Sequence, residues 1–221
     1  MGKRLLRISV LLLVVLLIVA CTGSLIADLY LSDVYELTSD TDLVYLTSAT
    51  IEIESYSDEE DEELYSKISE WFRGASNFRY EVRDFSTFLL VDIKVPIINV
   101  ENENFDSSRD LITLFIESDY MGTAFLGFRF SEEVFNTMND YLLSHYLVPL
   151  STKEWRFTVN LYNDTSAMRT LRLEGVYADG KPLLYPTVHT LEPYDSVAIT
   201  FPDILRDYAL EGEDGYFAAV Y

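Results

Sequence analysis

The sequence is short of cysteine, histidine and positive charge. It has one Cys and two His, and 16 Lys+Arg stand against 37 Asp+Glu in 221 residues, a formal charge of −21. One cysteine excludes an internal disulfide and a cysteine-built zinc site. Two histidines exclude a three-histidine metal centre. The shortage of cations argues against nucleic acid as a partner, because phosphate binding needs a basic face. Walker, G-x-S-x-G and G-x-G-x-x-G motifs are all missing. Gly122 and Gly127 lack the Lys-Ser/Thr of a phosphate loop. His145 and His189 have no H-E-x-x-H spacing, and a plain structural role is expected for each. Ser144 precedes His145, but sequence neighbours on a helix are not expected to face each other. With so many acids no carboxylate dyad can be singled out. No catalytic residue, metal ligand or cofactor is nominated, and the chain is read as a non-enzyme.

The amino terminus does carry information. Met1 to Arg7 is a short basic stretch with Lys3, Arg4 and Arg7. Ile8 to Ala20 is apolar apart from Ser9. At 13 residues it is short for a span of about 20 and suits the apolar region of a secretory signal. The run ends Ile18-Val19-Ala20-Cys21, which resembles the lipobox of bacterial lipoproteins. The resemblance implies a diacylglycerol thioether on Cys21, cleavage between Ala20 and Cys21, and an acyl chain such as palmitate on the new amino terminus. Two or three acyl chains anchor stably where one is marginal. The single cysteine would then be consumed as the attachment point. Cleavage would leave 201 residues with 13 Lys+Arg against 37 Asp+Glu, a formal charge of −24. An acidic globule is repelled by anionic lipid, which argues against lipid binding beyond the anchor.

Further along, Asp58 to Glu63 is an unbroken acidic run. Ser57 with Glu60 fits a capping box, and Leu64, Ile68, Trp71 and Phe72 fall on one helical face that Gly74 closes. A second helix is expected after Ser131, with Val134, Met138, Tyr141, Leu142 and His145 on one stripe. Strands are expected at Leu25–Leu31, Thr47–Glu54, Phe78–Val82, Phe88–Val95 (ended by Pro96), Leu111–Ile116 and Thr123–Phe130. From Lys153 strands dominate: Trp155–Leu161, Thr170–Tyr177, Leu183–Thr187, Val197–Phe201 and Tyr216–Tyr221. A short helix after Pro202 would use Ile204, Leu205 and Tyr208. The expected fold is α+β: a mixed N-terminal part with two helices packed on a sheet, then a β-sandwich-like C-terminal part. The expected organisation is a cleaved signal peptide (1–20), a lipidated tether (21–24), an α+β domain (25–150) and a β-sandwich-like domain (151–221) packed closely on it.

Val159-Asn160-Leu161-Tyr162-Asn163 and the later Leu191-Glu192-Pro193-Tyr194-Asp195-Ser196 resemble immunoglobulin-like envelope modules. Their "Leu-x-Pro-Gly-(Asp)-Ser" edge turn has Gly where this chain has Tyr194. Leu29-Tyr30-Leu31-Ser32-Asp33, Thr50-Ile51-Glu52-Ile53 and Val91-Asp92-Ile93-Lys94-Val95-Pro96 resemble small lipoproteins of bacteria and their phages, a resemblance that implies no mechanism.

Aromatics are plentiful, with 16 Tyr, 13 Phe and 2 Trp. Tyrosine favours binding surfaces, offering area and a hydroxyl at low entropy cost. Tyr177, Tyr185 and Tyr194, near turns, are the candidate binding aromatics. The expected function is a non-catalytic envelope lipoprotein, anchored in the cell or outer membrane on its extracytoplasmic side. It would bind an envelope protein or stabilise an assembly, with salt-sensitive binding to a basic partner. The alternatives are a carbohydrate or small-ligand binding module and a hydrolase of envelope polymers. No oligomeric state follows from the sequence.

Overall fold

The computed structural model describes residues 21–55, 62–83, 86–146 and 149–221. Along the chain these form β1 (Cys21–Tyr30), α1 (Leu31–Ser39), β2 (Val44–Ser55), α2 (Glu62–Trp71), β3 (Ser76–Arg83), β4 (Ser86–Asn99) and a 3-10 turn (Ser107–Arg109). There follow β5 (Ile112–Ser118), β6 (Ala124–Phe130), α3 (Glu132–Tyr146), β7 (Leu150–Tyr162), β8 (Arg169–Leu173), β9 (Val176–Ala178) and β10 (Lys181–Leu183). The last elements are β11 (Thr187–Leu191), β12 (Ser196–Thr200), α4 (Asp203–Leu210) and β13 (Gly215–Val220).

All thirteen strands belong to one sheet. Its path is β10-β9-β12-β7-β1-β2-β4-β5-β6-β13-β8-β11, with β3 branching off β4. This overturns the expected α+β fold of helices on a sheet followed by a sandwich. The deciding contacts are long-range. β7 pairs in parallel with β1, Leu25 opposite Phe157 and Tyr30 opposite Tyr162. β13 pairs with both β6 and β8. The sheet therefore crosses residue 150, where two parts were expected to meet. Residues 21–24, expected as a tether, are the first four of β1.

The two ends of the strand path nearly meet. β10 and β11 lie at opposite ends of it, yet only residues 184–186 separate them. A peptide advances at most about 3.6 Å per residue, so the ends stay close and the sheet curls into an almost closed barrel. Alternation explains which side faces in. Leu25, Ala27 and Leu29 of β1 and Trp155, Phe157, Val159 and Leu161 of β7 are buried, while Ile26, Tyr30 and Arg156 between them are exposed. Opposite walls touch through aromatic rings: Phe128 of β6 stacks on Phe201 at 4.3 Å and lies 6.2 Å from Phe157 of β7. Phe130 and Trp155 extend the cluster.

The helices occupy barrel ends and flanks. α1 lies across β1, β4, β5 and β6, burying Leu31, Val34 and Leu37. α4 lies across β6, β7 and β13. The sequence expects α4 to use Ile204, Leu205 and Tyr208. Leu205 packs half-buried against the core as expected, but Arg206 and Ala209 are the buried positions, while Ile204 and Tyr208 face out. α2 keeps its expected face, with Ile68 and Phe72 buried and Gly74 at φ +61°. The capping box Ser57/Glu60 lies outside the described residues. On α3 the buried positions are Phe135, Met138 and Leu142; His145 is exposed.

Pro96 does not end its strand, because of which way its missing N–H would point. The Lys94 N–H leaves the β2 side and donates to the Arg73 carbonyl at 2.7 Å. Two residues on, position 96 points to the same side, between the end of the β3 ladder and the start of the β5 ladder at Ile97. No ladder bond is lost there. Gly175, at φ +66°, divides the expected Thr170–Tyr177 strand into β8 and β9.

Candidate functional site

The registers define two ends of the barrel. At one, here the base, β1 and β7 begin, β12 ends, and α4 and the 184–186 connection lie. At the other, the tip, β1 and β7 end beside α1, the 192–195 turn and the loop after β5.

The tip concentrates exposed aromatic and apolar side chains among carboxylates. Tyr30 and Tyr162, paired across the parallel strands, stack with ring centroids 5.1 Å apart. Tyr194 is 76 % exposed in the turn before β12, and Tyr120 is 96 % exposed in the loop after β5 with Met121 beside it. The turn is pinned by Asn163, which is fully buried. Its amide donates to the carbonyls of Ala167, Leu191 and Glu192, and its side-chain oxygen accepts from the Thr165 hydroxyl at 2.7 Å. The Tyr194 N–H donates to the Asn163 carbonyl at 2.7 Å. Tyr194 adopts φ +68°, the left-handed region in which glycine is free and an aromatic residue is strained.

Acids surround the Tyr30–Tyr162 stack. Asp164 accepts from the Ser32 N–H at 2.9 Å and the Ser32 hydroxyl at 2.5 Å, which gives the first turn of α1 a partner from 132 residues away. Asp28 accepts from the Asn160 amide at 3.1 Å. Burial, then Asp28, Asp33 and Asp164, raise the Tyr30 phenol above its ordinary pKa. Burial, then Asp164 and Glu36, raise Asp33 above the usual carboxylate range. The α1 dipole favours a negative charge at Asp33 but does not outweigh these neighbours.

A raised carboxyl pKa makes the folded state bind its proton more tightly than the unfolded state. The resulting stability is complete below the unfolded pKa and is lost as pH rises through the folded one. Asp33→Asn is therefore expected to raise Tm at pH 7, by about 1–2 °C after allowance for its exposure. The gain should shrink to nothing as pH falls below the ordinary aspartate range. Thermal unfolding of both proteins across pH checks this; a gain that grows on acidification contradicts it.

A second feature lies near the base on the outer face of β5, β6 and β13. A pocket of about 200 Å³ is lined by Asp110, Thr113, Arg129, Ser131, Glu213 and Asp214, among others. The Thr113 hydroxyl is buried with no hydrogen-bond partner among the described residues. Arg129 grips Asp214 with two bonds of 2.6 and 3.0 Å, and Arg73 grips Asp110 with bonds of 2.5 and 3.0 Å. Beside it the Phe115 ring lies against Gly127, where a Cβ would come within 2.2 Å of the ring. The Arg129 guanidinium sits 5.0 Å from the Phe115 ring centre. The Tyr216 hydroxyl donates to Glu117, and burial with that bond pushes its pKa up to about 12.

The nominated residues are divided between the ends. Cys21 opens β1 at the base, opposite Leu150. Ile18, Val19 and Ala20 lie outside the described residues. Tyr185, 78 % exposed, is at the base, and Tyr177 is nearby on β9 opposite Thr200. Tyr194 is at the tip, the length of β11 away from Tyr185. The three tyrosines do not share one surface. His145 is exposed, stacked on Tyr141 at 4.1 Å. Contrary to the helical-neighbour expectation, its Nδ1 lies 2.9 Å from the Ser144 hydroxyl, and both groups also reach the Tyr141 carbonyl. His189 is half-buried on β11. No group of three or more His, Cys, Asp or Glu side chains among the described residues could hold a metal. No helix among them is long and apolar enough to cross a membrane. Tyr162 and Asp164 were missed as partners of Tyr30 and Ser32, because a parallel pairing across 132 residues leaves no local signal. Tyr194 in a glycine position was visible.

The chain belongs to the family described as Domain of unknown function (DUF7424), whose model matches residues 23–220 and so takes in the barrel from the third residue of β1 to the last residue of β13. No curated protein and no solved structure matches it.

Proposed function

We propose that this chain is a non-catalytic envelope lipoprotein, anchored through Cys21, that holds its tip toward a protein partner with a basic surface. One observation carries the reading: Tyr194 is held strained and exposed at a position where glycine would cost nothing. Strain of this kind, of order 1–3 kcal/mol, persists where something other than folding maintains it. The neighbouring Tyr30–Tyr162 stack, Tyr120 and Met121 supply apolar contact area, and Asp28, Asp33 and Asp164 supply charge complementary to lysine and arginine. β1 runs from Cys21 to Tyr30, and ten residues at about 3.3 Å each set the tip roughly 30 Å from the anchor. That distance clears lipid headgroups and leaves the tip open to a partner in the envelope.

Tyr194→Gly is the decisive variant. It is expected to stabilise the fold by about 1 kcal/mol by relieving the left-handed strain. It should also weaken partner capture at least tenfold in cross-linking and affinity recovery from membranes. Recovery should fall as salt rises. Unchanged capture by Tyr194→Gly and by a Tyr30→Ala/Tyr120→Ala double variant would sink the reading. The pocket with the unpartnered Thr113 hydroxyl favours a second reading, a site for a small carbohydrate. Its volume lies below the 300–1,000 Å³ of drug-sized sites and suits a single sugar ring. A glycan array with the soluble domain tests it.

A further inference from the structure

We infer that the base of the barrel rests directly on the lipid surface, through Leu184 and Tyr185 of the β10–β11 connection and Ile204 and Tyr208 of α4. This rests on the lipid-anchor reading and adds an orientation and a second membrane contact to it.

The four side chains are far more exposed than apolar groups usually are: Leu184 and Tyr185 78 %, Ile204 81 % and Tyr208 49 %. On α4 the exposure follows from the way the helix is docked. Arg206 is 4 % exposed and donates to the carbonyls of Lys153 at 3.0 Å and Trp155 at 3.1 Å, which fixes the helix against the start of β7. With Arg206 and Ala209 turned inward, Ile204 and Tyr208, one turn apart, share the outward face. At the other site the connection joins the two ends of the strand path and buries neither Leu184 nor Tyr185.

Both sites lie at the end where the chain meets the bilayer. Leu183 pairs with Val176, one residue beyond the pair Tyr177–Thr200, and Thr200 pairs with Thr158. Residues 184 and 185 thus stand beyond the end of β12, level with Arg156 and Trp155 near the start of β7. Trp155 pairs with Gly23, two residues from Cys21. Cys21 is itself a residue of β1, so no linker separates the attachment point from the barrel. A lipid on Cys21 must bring this end within a side-chain length of the headgroups.

The chemistry of the rim fits that position. Tyrosine with an apolar body and a polar tip, next to leucine and isoleucine, is the composition of interfacial belts. Lys153 and Arg156 are exposed beside the base, while the Asp203 and Asp207 carboxylates are engaged by Arg206. The remaining surface is strongly acidic, so contact is driven by apolar insertion and gains nothing from anionic lipid.

The test uses the lipidated full chain in phosphatidylcholine vesicles. Lipidation consumes the one native thiol, so Tyr185→Cys, Ile204→Cys and Tyr194→Cys each offer a single site for an environment-sensitive fluorophore. Probes at 185 and 204 are expected to shift to the blue and to be quenched severalfold more by brominated lipid than a probe at 194. Adding phosphatidylglycerol should not strengthen the effect. Probes at 185 and 204 as solvent-exposed as that at 194 overturn the inference and leave the anchor reading intact. Protection of 185 and 204 in cell membranes but not in protein-free vesicles also overturns it, and assigns the rim to a protein partner. A parent chain whose Cys21 still takes up the fluorophore overturns the anchor reading, and the orientation with it.

Discussion

Phe128→Ala is expected to cost about 3–5 kcal/mol, a large share of the 5–15 kcal/mol that holds a typical domain folded. Phe128 is 1 % exposed and stands where the two walls of the barrel meet, stacked on Phe201 at 4.3 Å and tilted against Phe157 at 6.2 Å. Gly215 lies against its ring, where a Cβ would come within 2.7 Å. The cavity cannot close by local collapse, because its sides belong to β6, β7, β12 and β13, each held by strand ladders. Denaturant unfolding should show a lower midpoint with little change in slope. A loss below about 1 kcal/mol would mean that the walls are not held together by this ring cluster. Phe128→Leu, which keeps most of the volume, should recover more than half of the loss.

Arg206→Met is expected to cost about 2–4 kcal/mol. The guanidinium is buried, and it donates charge-assisted hydrogen bonds to two strand carbonyls, to Asp203 at 3.0 Å and to Asp207 at 2.8 Å. Methionine fills the space but leaves the Lys153 and Trp155 carbonyls without that donor. The two carboxylates are largely exposed and return to water at little cost, so the carbonyls dominate the loss. Lysine, a compact charge, cannot span both carbonyls and the carboxylates and should recover less than half. Thermal and denaturant unfolding measure the loss. Methionine and wild type of equal stability would show that burial of the stem, not the fork, docks α4.

Local elements were legible because their causes are local. The 3.6 spacing of Ile68 and Phe72 located α2, and the alternation of Ala49, Ile51 and Ile53 located β2. Ser131 announces α3, its hydroxyl accepting from the Val134 N–H at 3.3 Å. The departures share a different cause. Ile204 and Tyr208 were expected to pack because they are apolar, yet it is the charged Arg206 that is buried. The carbonyls at the start of β7 hold it there, and nothing near residue 206 in the sequence announces them. Pro96 reads as a strand end until the side facing its missing donor is known.

The base and tip show the same division. The proposed export signal and attachment point at residues 8–21 are read from a short contiguous segment, without help from the fold. The glycine position occupied by Tyr194 was equally visible, and its left-handed backbone agrees with it. The pairing of Tyr30 with Tyr162, and the placement of Leu184, Tyr185 and Ile204 at the same end of the barrel as Cys21, depend on strand pairings across long stretches of chain. By itself the sequence determined the local elements, the acidity and the absence of familiar catalytic motifs. Only the tertiary structure decided that one sheet takes in every strand among the described residues, and which side chains stand at which end. Strand pairing is chosen by the burial of both walls together, and no single segment carries that information.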